Sequence, residues 1–104
     1  MSETPSLQVS DDQAAAVQKT PNRVTLASLN AKVIDVEYIY PETAPDFTIC
    51  VIKMENGFVS MGTSRAVDPE NFNRDLGQTY AFEAALRNVW PMEGYLLAEK
   101  MKAA

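Results

Sequence analysis

The seven residues Asn56-Gly57-Phe58-Val59-Ser60-Met61-Gly62 decide how this chain folds, because Asn-Gly between two apolar runs is the strongest short signal for a β-hairpin. Residues 47–54, FTICVIKM, supply the first strand, and Phe58 opens the return strand. A two-residue type I′ turn needs positive φ at both central positions, which Asn and Gly tolerate. That turn pairs Glu55 with Phe58, setting Met54 opposite Val59, Ile52 opposite Met61 and Cys50 opposite Thr63. One face of the hairpin is then Cys50, Ile52, Met54, Val59 and Met61, a core face.

The opposite face carries Phe47, Ile49, Val51 and Lys53 across from Ser60, Gly62 and Ser64. It is too apolar to be left in water and too polar for a second core. Two uses fit it. One is an interface between copies of the chain, with Phe47, Ile49, Val51 and Gly62 at its centre. The other is cover by an N-terminal helix or tail.

Upstream, Ile34, Val36, Tyr38 and Tyr40 alternate with Asp35 and Glu37, so a further strand is predicted that ends at Pro41. Ahead of it, Thr25 is an N-cap for a short helix carrying Leu26, Leu29 and Val33 at helical spacing. Downstream, Asp68-Pro69 reads as a cap followed by proline at the first helical position, and Asp75 with Gln78 reads as a capping-box pair. Phe82, Ala85, Leu86 and Val89 recur at helical spacing, while Gly77, Ala81 and Ala85 form a stripe of small residues that lets a helix lie close to a sheet. Pro91 is expected to end that helix after Trp90, leaving a last helix over about 91–102. The fold class predicted is α+β: a three-stranded antiparallel sheet with a short N-terminal helix and two C-terminal helices packed on one face.

A chain of 104 residues makes one domain at most. Residues 1–20 are polar and small, too poor in large apolar groups to offset the entropy of ordering, and read as a flexible tail in which DDQAAAVQK can form a helical turn or two. Residues 21–104 form the single α+β domain. Its core is small enough that self-association is an expected source of extra stability.

Composition narrows the chemistry. There is no histidine and one cysteine, which removes the usual zinc sites, the Ser-His and Cys-His nucleophile pairs and an internal disulfide. Cys50 lies in an apolar run and reads as a small core residue. No catalytic residue, metal site or cofactor is assigned; an enzyme would need a carboxylate pair or an arginine and hydroxyl site. The net charge of −5, from 14 acidic and 9 basic residues, offers no basic footprint for nucleic acid. No apolar run reaches the roughly 20 residues of a membrane span. The start, Met1-Ser2-Glu3-Thr4-Pro5, lacks the basic and apolar parts of a secretory signal, so a cytoplasmic location is expected.

Ser60, Thr63, Ser64, Arg65 and Arg74 supply donors of the kind an anionic group prefers, or they are the side chains of a solvated turn. Trp90 and Tyr95 flank the proline; such a pair closes a core corner, anchors an interface or stacks on a base. The candidate site residues are accordingly Arg65, Arg74, Trp90, Tyr95, Ser60 and Ser64.

Tyr38 and Tyr40 ahead of the Cys50 strand, the Asn56-Gly57-Phe58 hairpin, Val67-Asp68-Pro69-Glu70-Asn71-Phe72 and the closing Trp90-Pro91-Met92-Glu93-Gly94-Tyr95-Leu96-Leu97 occur together here. In this combination, over about residues 24–102, the chain resembles the gp-forty-nine-like family of small tailed-bacteriophage accessory proteins. The resemblance implies a phage origin and the cytoplasm of a bacterial host, and it hands over no catalytic residue. The function expected is that of a non-enzymatic accessory protein, a homo-oligomer that binds and modulates a host protein. The alternative expected is a nucleotide-binding protein that sequesters a host immune signal, with Arg65 and Arg74 on phosphate and Trp90 and Tyr95 on the base.

Overall fold

A computed structural model describes residues 6–104. Helix α1 spans Ser6–Ala16, α2 Leu26–Ala31, and α3 Arg74–Ala103; strands β1, β2 and β3 span Val33–Ile39, Thr48–Met54 and Val59–Ser64. The sheet is antiparallel in the order β1-β2-β3, and α3 crosses one of its faces.

Local chemistry starts each element. Thr25 Oγ1 accepts from the Ser28 N–H at 3.0 Å, and Ser28 Oγ accepts from the Thr25 N–H at 3.1 Å, a reciprocal cap that begins α2. Leu29 follows as a fully buried residue. Val36 and Tyr38 pair with Ile52 and Cys50 and so share the helix-facing side, while Asp35, Glu37 and Ile39 lie on the other. Along β2 the alternation is complete, with Thr48, Cys50, Ile52 and Met54 buried.

The hairpin turn differs from the two-residue turn expected. The Met54 N–H donates to Phe58 O at 2.8 Å and the Gly57 N–H to Met54 O at 2.9 Å, enclosing three residues rather than two. Only Gly57 takes positive φ, +89°, and Asn56 instead accepts from the Phe58 N–H through its side chain at 2.9 Å. This is the turn-plus-bulge loop, one residue longer than type I′. Pairing therefore shifts by one, to Val51 opposite Met61, Ile52 opposite Ser60 and Cys50 opposite Gly62. Because side chains alternate, the slip turns β3 over. Ser60 and Gly62 face α3, and Val59 and Met61, expected in the core, point the other way.

The small residues meet across this interface. Ala81 and Ala85 are buried on α3 above Gly62, whose missing Cβ would lie 2.2 Å from Ala81 O, and Gly77 is buried over Thr48. Ser60 Oγ donates to Ala85 O at 2.9 Å, tying strand to helix.

One helix stands where two were predicted: α3 runs through Pro91 to Ala103. Proline forfeits the bond to the Arg87 carbonyl. Both residues lie on the exposed side of the helix. Anchors on either side hold the axis, with Trp90 Nε1 donating to Val24 O at 3.2 Å and the Glu93 carboxylate accepting from Lys32 Nζ at 2.9 and 3.0 Å. The N-cap of α3 is Asn73, which accepts from the Leu76 N–H at 3.0 Å. Asp75 sits in the first turn, and Gln78 donates to the Tyr40 hydroxyl at 3.0 Å instead of closing a capping box.

The segment expected as a tail is helical from Ser6, and residues 1–5 of it lie outside the described residues. Leu7 is buried with the core, beside Leu26, Phe82 and Leu86. Asp11 docks α1 on the next helix, accepting from Arg23 Nη1 at 2.7 Å and from the Leu26 N–H at 3.1 Å. Desolvation raises the Asp11 pKa, but the Arg23 and Leu26 bonds outweigh it and the net shift is downward. The sign follows: a lowered native pKa gives stability above the unfolded value, near 3.8, that is lost as pH falls through the native one. Asp11→Asn is expected to cost about 1 kcal/mol, with its hydrogen-exchange loss confined to α1 and the start of α2. Amide exchange by mass spectrometry at pH 7 checks this.

Candidate functional site

Among the described residues, the sheet face turned away from α3 is left uncovered by the helices. Its three rows are Ile39, Ile49, Thr63; Glu37, Val51, Met61; and Asp35, Lys53, Val59. Val59 and Met61 are 54% and 55% exposed, and Ile39 is also exposed, while Ile49 and Val51 on the central strand are half-buried. Of the two covers considered for this face, α1 is not one. Leu7 carries it to Leu26 and Leu86 on the helix side.

Residues expected together on that face are divided by the register. Ile49 and Val51 lie on it, with half-buried Phe47 just before β2. Gly62 does not, being buried under α3, so it belongs to no interface between copies. Ser60 is buried as well, its hydroxyl spent on Ala85 O. Ser64, at the end of β3, lines a mainly apolar cavity of about 470 Å³ with Arg65, Phe72, Leu76 and Tyr80.

The four residues proposed for a nucleotide fall into two separated pairs, Arg65 and Arg74 before and at the start of α3, and Trp90 and Tyr95 beyond its middle. Arg65 Nε donates to Asp46 Oδ2 at 3.2 Å, and the Arg74 guanidinium lies 4.4 Å from the centre of the Tyr40 ring. Both arginines thus have partners inside the chain. Trp90 lies 16 residues further along the helix, about 24 Å at 1.5 Å per residue, with its indole nitrogen bonded to Val24 O. One nucleotide cannot set its phosphate on the first pair and its base on the second. Tyr95 is 68% exposed on the outer half of α3.

A second concave surface lies between the hairpin tip and that outer half. It is a groove of about 540 Å³ lined by Met54, Phe58, Val89, Met92, Tyr95 and Leu96, bordered by the Lys32 and Glu93 pair. Apart from Tyr95, none of these was expected at a surface site. Their signal in the sequence is the continuation of the Ala81, Ala85, Val89 spacing to Met92 and Leu96, hidden by assuming a break at Pro91.

Burial pushes the Cys50 thiol up, opposed by the hydrogen bond with Tyr38, and burial likewise pushes the Tyr38 phenol up. Cys50 therefore stays a protonated thiol at neutral pH, fully buried in the core. Among the described residues, no helix is long and apolar enough to cross a membrane, and no cluster of three or more metal-ligating side chains forms.

A family model described as phage protein (N4 Gp49/phage Sf6 gene 66) family matches residues 12–101. No curated protein and no solved structure matches the chain.

Proposed function

The chain belongs to the N4 Gp49/phage Sf6 gene 66 family of phage proteins, and from that premise we propose that it is a non-enzymatic accessory protein that binds and modulates a protein of the bacterial host, in the host cytoplasm and as a homo-oligomer. The observation that carries this reading is the open sheet face. Ile39, Ile49, Val51, Val59 and Met61 form a continuous apolar patch on a rigid element. A surface of that kind suits a partner protein better than a small ligand, which favours a concave site.

The patch also states what its partner looks like. Lys53 lies opposite Asp35 across the strands, which leaves Glu37 as the unbalanced charge beside the apolar centre. A complementary surface is apolar with a basic rim, and the net charge of −5 steers such a partner toward this chain. The absence of histidine and the buried protonated thiol support the non-enzymatic part of the reading.

Affinity capture from host lysate, compared between the wild type and a Val59→Lys/Met61→Lys double variant, tests the proposal. Both side chains are exposed, so the double variant keeps its fold, as circular dichroism will confirm. The expected result is a specific host protein held by the wild type and reduced at least tenfold by the variant. Equal retention by the two, or no specific partner, overturns the reading.

A further inference from the structure

On α3, Ala81, Ala85, Val89, Met92 and Leu96 follow one another at spacings of four, four, three and four, so they form one seam along the helix. The first three are buried, whereas Met92 and Leu96 are 45% and 47% exposed. The seam loses its cover where the sheet ends. A helix of 30 residues is about 45 Å long. Strands of six or seven residues reach only about 23 Å. The outer half of α3 therefore runs past the hairpin tip, and the 540 Å³ groove is the space left beneath it.

We infer that a second copy of the chain fills this space, the outer halves of two α3 helices crossing antiparallel about a two-fold axis with Met92, Tyr95 and Leu96 of each set into the groove of the other. Three features point to a second copy. A two-fold interface must be complementary to itself, and this patch holds both protrusions, Phe58 and Tyr95, and the hollow between them. Charge fits as well. Residues 92–103 carry Glu93 and Glu99 against Lys100 and Lys102, so the segment is neutral in a chain of net charge −5. Two neutral segments meet without the like-charge repulsion that a net-acidic surface would impose. The area suffices too. Four half-exposed large side chains with the groove walls supply about 500 Å² per copy, so the pair reaches the roughly 1,000 Å² that a specific interface needs.

This deepens the self-association part of the proposed function and leaves the open sheet face free for the host protein. Purified chain alone tests it, so failure here is distinguishable from failure of host binding. Sedimentation equilibrium from low to high micromolar concentration is expected to give twice the chain mass of 11.5 kDa. Leu96→Glu is expected to weaken association at least a hundredfold with an unchanged circular dichroism spectrum. Lys100→Glu/Lys102→Glu, which alters no buried residue, is expected to weaken it tenfold with partial recovery in high salt. The Val59→Lys/Met61→Lys variant is expected to keep the doubled mass. A wild-type mass of one chain overturns the inference, as does a doubled mass that survives Leu96→Glu or is lost in the sheet-face variant.

Discussion

Replacing Gly62 by alanine is expected to lower stability by at least about 3 kcal/mol, the upper end of overpacking costs, because the obstacle is backbone. A Cβ there would sit 2.2 Å from Ala81 O, 2.3 Å from Ala85 N and 2.8 Å from Ala84 C. None of these atoms belongs to a side chain that can rotate away. The helix would have to retreat by about 1 Å, and a gap of that size forfeits much of the dispersion contact along the whole seam. Ala81, Ala85, Leu86 and Val89 would all be affected. For a domain of about 100 residues this corresponds to a fall in melting temperature of roughly 12–24 °C. Gly62→Val is expected to leave the chain unfolded, since total stabilities are only about 5–15 kcal/mol. Gly94→Ala is the control: nothing lies within 4 Å of its added methyl, and a helical glycine replaced by alanine is expected to raise stability by about 0.5–1 kcal/mol. Thermal melts of the three variants decide it. A Gly62→Ala melting temperature within about 2 °C of wild type would mean that helix and sheet are not in contact at this point.

The same contact explains what could and could not be read from the residues. The periodicity of β2 and the small-residue stripe on α3 were legible, because each is a pattern within a single element. The register of β3 was not, because two turns compete at Asn56-Gly57 and differ by one residue. The shorter turn buries Val59 and Met61, a gain of about 1.5–3 kcal/mol for each side chain. It would also place two large residues under a helix whose facing stripe is Gly77, Ala81 and Ala85. The longer turn presents Ser60 and Gly62 instead, so helix and strand approach at backbone distance. The stripe itself held the missing information: small residues on a helix call for small residues on the strand beneath.

The site was less legible than the fold for the same reason. A one-residue slip moved Ser60, Gly62 and Ser64 to the helix side and brought Val59 and Met61 out beside Ile49 and Val51. The open face is thus more apolar than the sequence implied, which strengthens it as a protein-binding surface. The separation of Arg74 from Trp90 does not depend on Pro91: both precede it, and the 16 helical residues between them already divide the proposed nucleotide site. Asp11 shows the opposite limit. Its partners, Arg23 and the Leu26 N–H, are 12 and 15 residues away, and no periodicity reveals a contact of that kind.

Pro91→Ala is expected to stabilise the chain by about 2 kcal/mol. A proline inside a helix costs about 3 kcal/mol through the missing hydrogen bond and its clash with the preceding turn. Removing it frees the unfolded chain as well, which returns about 0.4–1 kcal/mol. The measurement belongs in a Leu96→Glu background, where self-association no longer contributes to apparent stability. If α3 melts with the domain, the melting temperature rises by roughly 8–16 °C. If the residues beyond Pro91 fray separately, the helical signal at 25 °C rises while the melting temperature holds. No change in either would show that the Arg87 carbonyl and its solvent already offset the lost bond. In the wild-type background the balance differs, because Pro91 is also a wall of the groove beneath the outer helix. There the substitution is expected to strengthen the helix and weaken the pairing of copies together. On the proposed pairing of copies, Pro91 costs the monomer stability while shaping the groove that the second copy would enter.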